Sequence, residues 1–272
     1  MHQVCQYGIP RERIVRLNRI GQPLSSFARK SGEIFILTVK AIALIFKRPF
    51  NFRLIESHLY LDGIKSIPVI FLMAVFTGGV LALQSYYGLQ RFGAEVFTGS
   101  LVGVSLTKEL IPVLTGLMLA GRVSASYSAE IGTMVVTEQV DALFTFGVNP
   151  VKYLVSPRLV ALVIMTPLLT LFGDFVGIMG GRLVAALVVH QNPNLFDSQL
   201  FVSLEIWDVL SGLIKSVFFG LTIAVIGSYF GLKTEGGAKG VGRATTTAVV
   251  VSSVIILVSD FFWTKILPFS LR

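Results

Sequence analysis

Cysteine is nearly missing from this 272-residue chain: Cys5 stands alone, which excludes an intrachain disulfide and any cysteine-based metal site. The three histidines, His2, His58 and His190, are scattered without an HExxH run or a paired spacing, so no metal centre is expected. No Ser-His-Asp or Cys-His arrangement appears either, and catalysis within the chain gets little support. Charge is scarce as well. With 14% charged and 53% hydrophobic residues, and a mean hydropathy of +0.76, the chain is too apolar for an ordinary soluble domain and belongs in a membrane. The N-terminus lacks the basic stretch, apolar run and cleavage site of a secretory signal, so internal spans are expected to do the targeting. No repeat of 20 to 50 residues is evident.

The charge that is present is mostly positive, a formal +8, yet the Lys and Arg gather outside the apolar runs instead of covering a polar surface. Membrane topology accounts for that pattern better than nucleic acid does. Eleven of the 23 Lys and Arg lie between Arg11 and Lys65, ahead of the first strong span, which places the N-terminus in the cytoplasm by the positive-inside rule. The chain divides into a basic N-terminal region, residues 1–53, and a membrane region, residues 54–272.

A crossing of a bilayer core about 30 Å thick needs roughly 20 helical residues, and five segments qualify. They are Ser66 to Leu89, Gly99 to Gly121, Leu159 to Val189, Leu213 to Leu232 and Ala244 to Leu267. Five spans starting inside put the C-terminus outside. Ile34 to Phe46 is too short to cross and reads as an interfacial or re-entrant helix ended by Lys47-Arg48-Pro49. The fold class is therefore an all-α integral membrane protein: an interfacial helix, then about five spans, with a cytoplasmic coupling helix between spans 2 and 3. In the third span Gly173, Gly177 and Gly181 stand four apart, which puts them on one face for close helix packing.

Between Glu109 and Arg158 the chain changes character. Val136, Val140, Leu143 and Phe144 recur at helical spacing while Glu138, Gln139 and Asp141 face elsewhere, until Gly147 and Asn149-Pro150 stop the helix. A helix tied at both ends to spans passes any force applied to it into those spans. The same pattern fits a helix that only packs its apolar face on headgroups. Glu130 and Glu138, eight residues apart, would stand roughly 12 Å apart on one helix, too far to act on one bond.

Ionisable groups inside apolar segments are the sharper signal, because a charge at the bilayer centre costs about 3 kcal/mol or more. Glu109, Asp174, Arg182, Lys215 and Asp260 qualify, with Glu109 and Lys215 as a candidate pair that either lines a substrate cavity or braces the bundle. Gly237 to Ala244 has the Gly-x4-Gly spacing of a phosphate loop. Arg243 and Ala244 stand where Lys and Ser/Thr are needed, and the stretch reads as a turn between spans.

Several blocks carry a resemblance: Glu109-Leu-x-Pro112, Ala120-Gly-Arg122, Ala129-Glu-Ile-Gly132-x-Met134, Glu138-Gln139, Asn149-Pro150, Ser156-Pro-Arg158 and Pro167-Leu-Leu-Thr170. Together, over about Leu54 to Phe269, they resemble the MlaE/YrbE permeases, the membrane subunits of ABC-type lipid transporters that work with MCE-domain proteins. The resemblance implies a homodimer in the bacterial inner membrane, a cytoplasmic ATPase that carries the ATP and Mg, no cofactor in this chain, and an MCE-domain protein on the periplasmic side. It implies a phospholipid cavity near Glu109, Lys215, Asp260, Leu110 and Gly78. It also implies an ATPase-facing surface of Arg122, Glu130, Glu138, Gln139, Asp141, Leu143, Arg158 and Arg243. Two other classes fit the residues alone: an ion-coupled secondary transporter using the buried carboxylates, against which the missing inverted repeat counts, and a membrane scaffold.

Overall fold

The computed structural model describes residues 11–45 and 52–270, and among them it contains helices and no strand. Eight helical elements follow in order: α1 (Arg11–Ile45), α2 (Phe52–Gln90), α3 (Glu95–Val136), α4 (Gln139–Thr145), α5 (Val151–Leu187), α6 (Pro193–Ser203), α7 (Ile206–Leu232) and α8 (Gly237–Ser270). Five of them, α2, α3, α5, α7 and α8, are long and apolar enough to cross a bilayer. The protein is an all-α, five-span membrane protein.

The spans are longer than the apolar runs suggest. α2 starts at Phe52 rather than Ser66, and α5 at Val151 rather than Leu159, because polar first turns continue the same helices beyond the hydrocarbon. Hydropathy marks the lipid-exposed length of a helix, whereas hydrogen bonding sets its full length. For the same reason residues 190–211, which no long apolar run marks, contain α6 and the start of α7. The turn before the last span shrinks to Lys233–Gly236, and Gly237 to Arg243 form the first turns of α8 instead of a loop. The interfacial helix extends back to Arg11; its expected end at Phe46 and Lys47-Arg48-Pro49 lies outside the described residues.

The core is built on close approach between α2 and α5. A Cβ on Gly78 would overlap the carbonyl of Gly177, and one on Gly180 would stand 2.7 Å from the Val75 carbonyl oxygen. Gly173 and Gly181 are likewise closed in, by Ile111 and by the Gly78 carbonyl. Dispersion between backbones that only glycine lets approach is a main source of helix association in lipid. Gly78, which the resemblance places near a lipid cavity, packs directly on the Gly177 backbone. α8 is the least buried of the five spans, and its Val250, Val254, Leu257 and Phe261 are exposed.

Helix α1 lies across the end of the bundle where α3 finishes. Glu33 accepts hydrogen bonds from Tyr229 Oη at 2.8 Å and from Lys233 Nζ, and Ser156 Oγ donates to the Ala41 carbonyl at 3.0 Å. The ammonium and phenol hold the Glu33 carboxyl down to about 2, and the same pairing raises Lys233.

Candidate functional site

Two charged clusters sit on α3, one near each end of the bundle. The first gathers around Lys215 of α7, whose side chain is almost wholly buried. Its Nζ donates to Glu109 Oε2 at 2.7 Å, Thr264 Oγ1 at 2.7 Å and the Lys108 carbonyl at 3.2 Å. The Lys108 carbonyl is open to it because Pro112, four residues on, has no N–H to give. Thr264 Oγ1 stands 3.1 Å from both Glu109 carboxylate oxygens. Asp260 Oδ1 lies 3.2 Å from Lys215 Nζ, an ion pair without hydrogen-bond alignment. Lys108 meanwhile pairs with Asp208, at the first turn of α7, at 2.7 Å. The expected pair of Glu109 and Lys215 thus exists, and Asp260 joins it. Leu110 is half-buried against the apolar cluster of α2, α3 and α5. The arrangement puts polar groups from α3, α7 and α8 at one level, where an apolar molecule with a charged end can be met.

Not every ionisable group in the spans joins that cluster. Arg182 pairs with Asp197 of α6 at 2.8 Å. Asp174 is buried inside α5, and neither carboxylate oxygen has a hydrogen-bond partner.

The second cluster lies at the other end and corrects the expected geometry of the coupling segment. α3 does not stop near Gly121; it runs on to Val136, so Glu130 belongs to the span itself. The helix breaks at Glu138, whose φ of 61° is left-handed, and α4 starts afresh at Gln139. Glu130 and Glu138 are consequently on different helices, and the single-helix separation between them does not apply. In α4, Val140 is buried against Ile131 and Leu154, and Leu143 packs beside it. Glu138, Gln139 and Asp141 are exposed, as are Phe144 and Phe146. Gly147, with φ 72°, ends the element.

Arg158, expected on a partner-facing surface, is buried. Its Nη2 pairs with Glu130 at 2.8 Å, its Nη1 donates to the Leu154 carbonyl at 2.8 Å, and the guanidinium sits over the Tyr127 ring. Of that ion pair Glu130 is the exposed member. Arg243 is exposed on the first turns of α8. Arg122 donates to the Lys65 carbonyl and, at 3.2 Å, to Ser66 Oγ, which ties α3 to α2.

Sequence reasoning missed the centre of this network. Tyr127 Oη donates to Asp62 Oδ2 at 2.5 Å, and His58 Nδ1 lies 3.2 Å from the same oxygen. The available signal was Asp62 four residues after His58 just ahead of an apolar run, a spacing that stacks both on one helix face.

What these observations define is a class: a multi-pass helical membrane protein with an ion-paired cluster at one end and an exposed amphipathic element at the other. The family described as Permease MlaE matches residues 55–266, and the chain belongs to that family. A probable ABC transporter permease protein of Rickettsia typhi is 47% identical over 250 residues, 92% of this chain and 96% of that protein. The intermembrane phospholipid transport system permease protein MlaE of Haemophilus influenzae is 34% identical over 252 residues, 92% of this chain and 97% of that protein. The chloroplastic protein TRIGALACTOSYLDIACYLGLYCEROL 1 of Arabidopsis thaliana is 36% identical over 237 residues, 87% of this chain and 68% of that protein. The chain is thus an ABC-type permease subunit, a transport component.

Proposed function

We propose that this permease moves phospholipid between the inner membrane and an MCE-protein pathway toward the outer membrane, driven by a separate ATPase. The observation that carries the reading is the placement of two unlike elements on neighbouring lengths of chain. The Glu109–Lys215–Asp260 cluster joins α3 to α7 and α8 at one end of the bundle, and α4 with its exposed acids and phenylalanines follows α3 at the other. A partner gripping Glu138, Gln139, Asp141 and the rings of Phe144 and Phe146 pulls on α3 and α5 together, because α4 is tethered to both. The polar cluster meets the headgroup, and the apolar walls beside Leu110 meet acyl chains.

Two copies complete the chamber, with the exposed apolar face of α8 turned toward the twofold axis. The ATPase, holding the ATP and Mg, sits on the cytoplasmic side with α1 and α4, and the MCE-domain protein on the periplasmic side with the C-terminus. Support for phospholipid as cargo comes from what the Haemophilus relative is called.

The test is co-purification of the tagged chain from its native cells. An ATPase should come down with the wild-type chain and be lost when Glu138 and Asp141 are both changed to Lys. Lipid transport that continues with no ATPase present overturns the reading and favours an ion-coupled carrier, for which Asp174 is the unpartnered carboxylate to examine.

A further inference from the structure

A second polar recess opens where the start of α2 faces the last turns of α3. It measures about 390 Å³ and is lined in part by Leu61, Asp62, Lys65, Arg122, Ser126 and Glu130. Its acids are already engaged: Asp62 by Tyr127 and His58, Glu130 by Arg158. Its cations have no acidic partner, though Lys65 Nζ lies 5.7 Å from the centroid of the exposed Tyr60 ring. Among the described residues no carboxylate stands within ion-pair distance of Lys65 or Arg122, and both side chains are exposed. Arg122 is nevertheless fixed in place, since its Nη1 is bound to the Lys65 carbonyl and to Ser66 Oγ. Its Nε and Nη2 remain to be used.

The depth of the recess identifies what can reach it. Lys65 lies two residues before Ile67, where the uninterrupted apolar run of α2 begins, so both cations stand at the edge of the hydrocarbon. Beside them Leu61, Ile64 and Phe71 are exposed and continue outward as an apolar surface. A fixed guanidinium and an ammonium at headgroup level, next to a strip for alkyl chains, match a phosphodiester carrying acyl tails.

We propose that this recess is a binding site for the phosphodiester of a glycerophospholipid in the adjacent leaflet, held by Arg122 and Lys65 with its chains along Leu61 and Ile64. It is separate from the Glu109 cluster, which is thirteen residues away on α3, about 20 Å along the axis. The site stands whether or not the transport reading above holds.

The test places photoreactive benzoyl-phenylalanine at Ser57, an exposed residue of the recess wall, in the full-length protein. The protein is reconstituted in nanodiscs of phosphatidylethanolamine and phosphatidylglycerol, irradiated, and read by mass spectrometry of its peptides. A phospholipid adduct is expected, and Lys65→Gln with Arg122→Gln should lower its yield about tenfold, as loss of charge-assisted hydrogen bonds implies. Lys239→Gln, which removes an exposed cation of α8 outside the recess, should leave the yield unchanged. A comparison that needs no variant at the cations uses nanodiscs doped with diacylglycerol, which should label far less than phospholipid at equal mole fraction. Equal labelling by diacylglycerol, equal yield in the doubly substituted protein, or loss of the adduct on adding inorganic phosphate each overturns the proposal, the last by assigning the recess to a soluble anion.

Discussion

Replacing Lys215 by Met keeps most of the aliphatic stem and removes the ammonium, which leaves Glu109, Asp260 and Thr264 facing one another without their shared cation. Breaking a fully buried ion pair from one side costs about 3–5 kcal/mol. Here the lysine side chain is 2% exposed but Glu109 is 38% exposed and Asp260 19%, so water recovers part of the lost interaction. Discounting for that screening gives a destabilisation of about 2–4 kcal/mol. The measurement is denaturant or thermal unfolding of the chain in one fixed detergent, with size-exclusion chromatography to follow assembly. The informative control is the triple change Glu109→Gln, Lys215→Met, Asp260→Asn, in which no carboxylate is stranded. It should recover stability to within about 1 kcal/mol of the wild type, since a neutral, well-packed replacement of a buried pair is often harmless. It should not recover lipid occupancy, because the headgroup has lost its charged contacts. If Lys215→Met unfolds with the wild type, or if the triple variant is as unstable as the single one, then Lys215 does not hold this site together.

Glu33→Gln should free α1 from the end of α7, read as faster hydrogen exchange over residues 28–45. In the wild type, Glu33 falls from an ordinary 4.5 to about 2, so its contribution is complete above 4.5 and fades as pH drops toward 2; Lys233, raised from 10.5, loses its share only above that value. The protection factors of the α1 amides, exchange divided by its intrinsic rate at each pH, should therefore stay flat between those limits and fall outside them, and a fall centred near neutral pH contradicts the pairing. Gly78→Ala drives a methyl into the Gly177 carbonyl and should cost about 1–3 kcal/mol, while Gly88→Ala, with open space around it, should change the melting temperature little. Tyr127→Phe removes the phenolic donor to Asp62 and should cost about 1–3 kcal/mol in the same unfolding assay; an unchanged midpoint separates that hydrogen bond from stability.

The sequence made the number of spans legible because each contains an apolar run long enough to cross, and nothing else in the chain does. The Lys215 cluster was legible for a related reason. A charge in an apolar run needs a partner, and Glu109 and Lys215 had opposite signs and matching depth. For Gly78 the sequence shows only that a helix can come close; which helix does so is visible only in the contact with the Gly177 backbone. The place of Arg158, which only the resemblance suggested, was not legible: its partner Glu130 comes from α3, twenty-eight residues earlier. The Asp62–Tyr127 bond joins residues 65 apart, and neither has a local pattern that names the other.

A feature with no sequence signature links both ends of the molecule. Among the described residues the spans contain four π-turns: Leu59–Gly63, Leu106–Leu110, Ala120–Ser124 and Val151–Val155. Asp62, Glu109, Arg122 and Lys152 each fall in one of them. A π-turn holds one residue more than an α-turn, so it re-aims the side chains that follow without ending the helix, and it disturbs the regular backbone pairing locally. That is how α3 turns Glu109 toward Lys215 of α7 and Arg122 toward the start of α2, although an undisturbed helix of this sequence would present them differently. Between the two π-turns of α3 lie the nine residues Ile111–Leu119, regular α-helix packed on α5 and α7. The side chains that meet α7 at one end and α2 at the other are thus aimed from the two ends of one regular α-helical length.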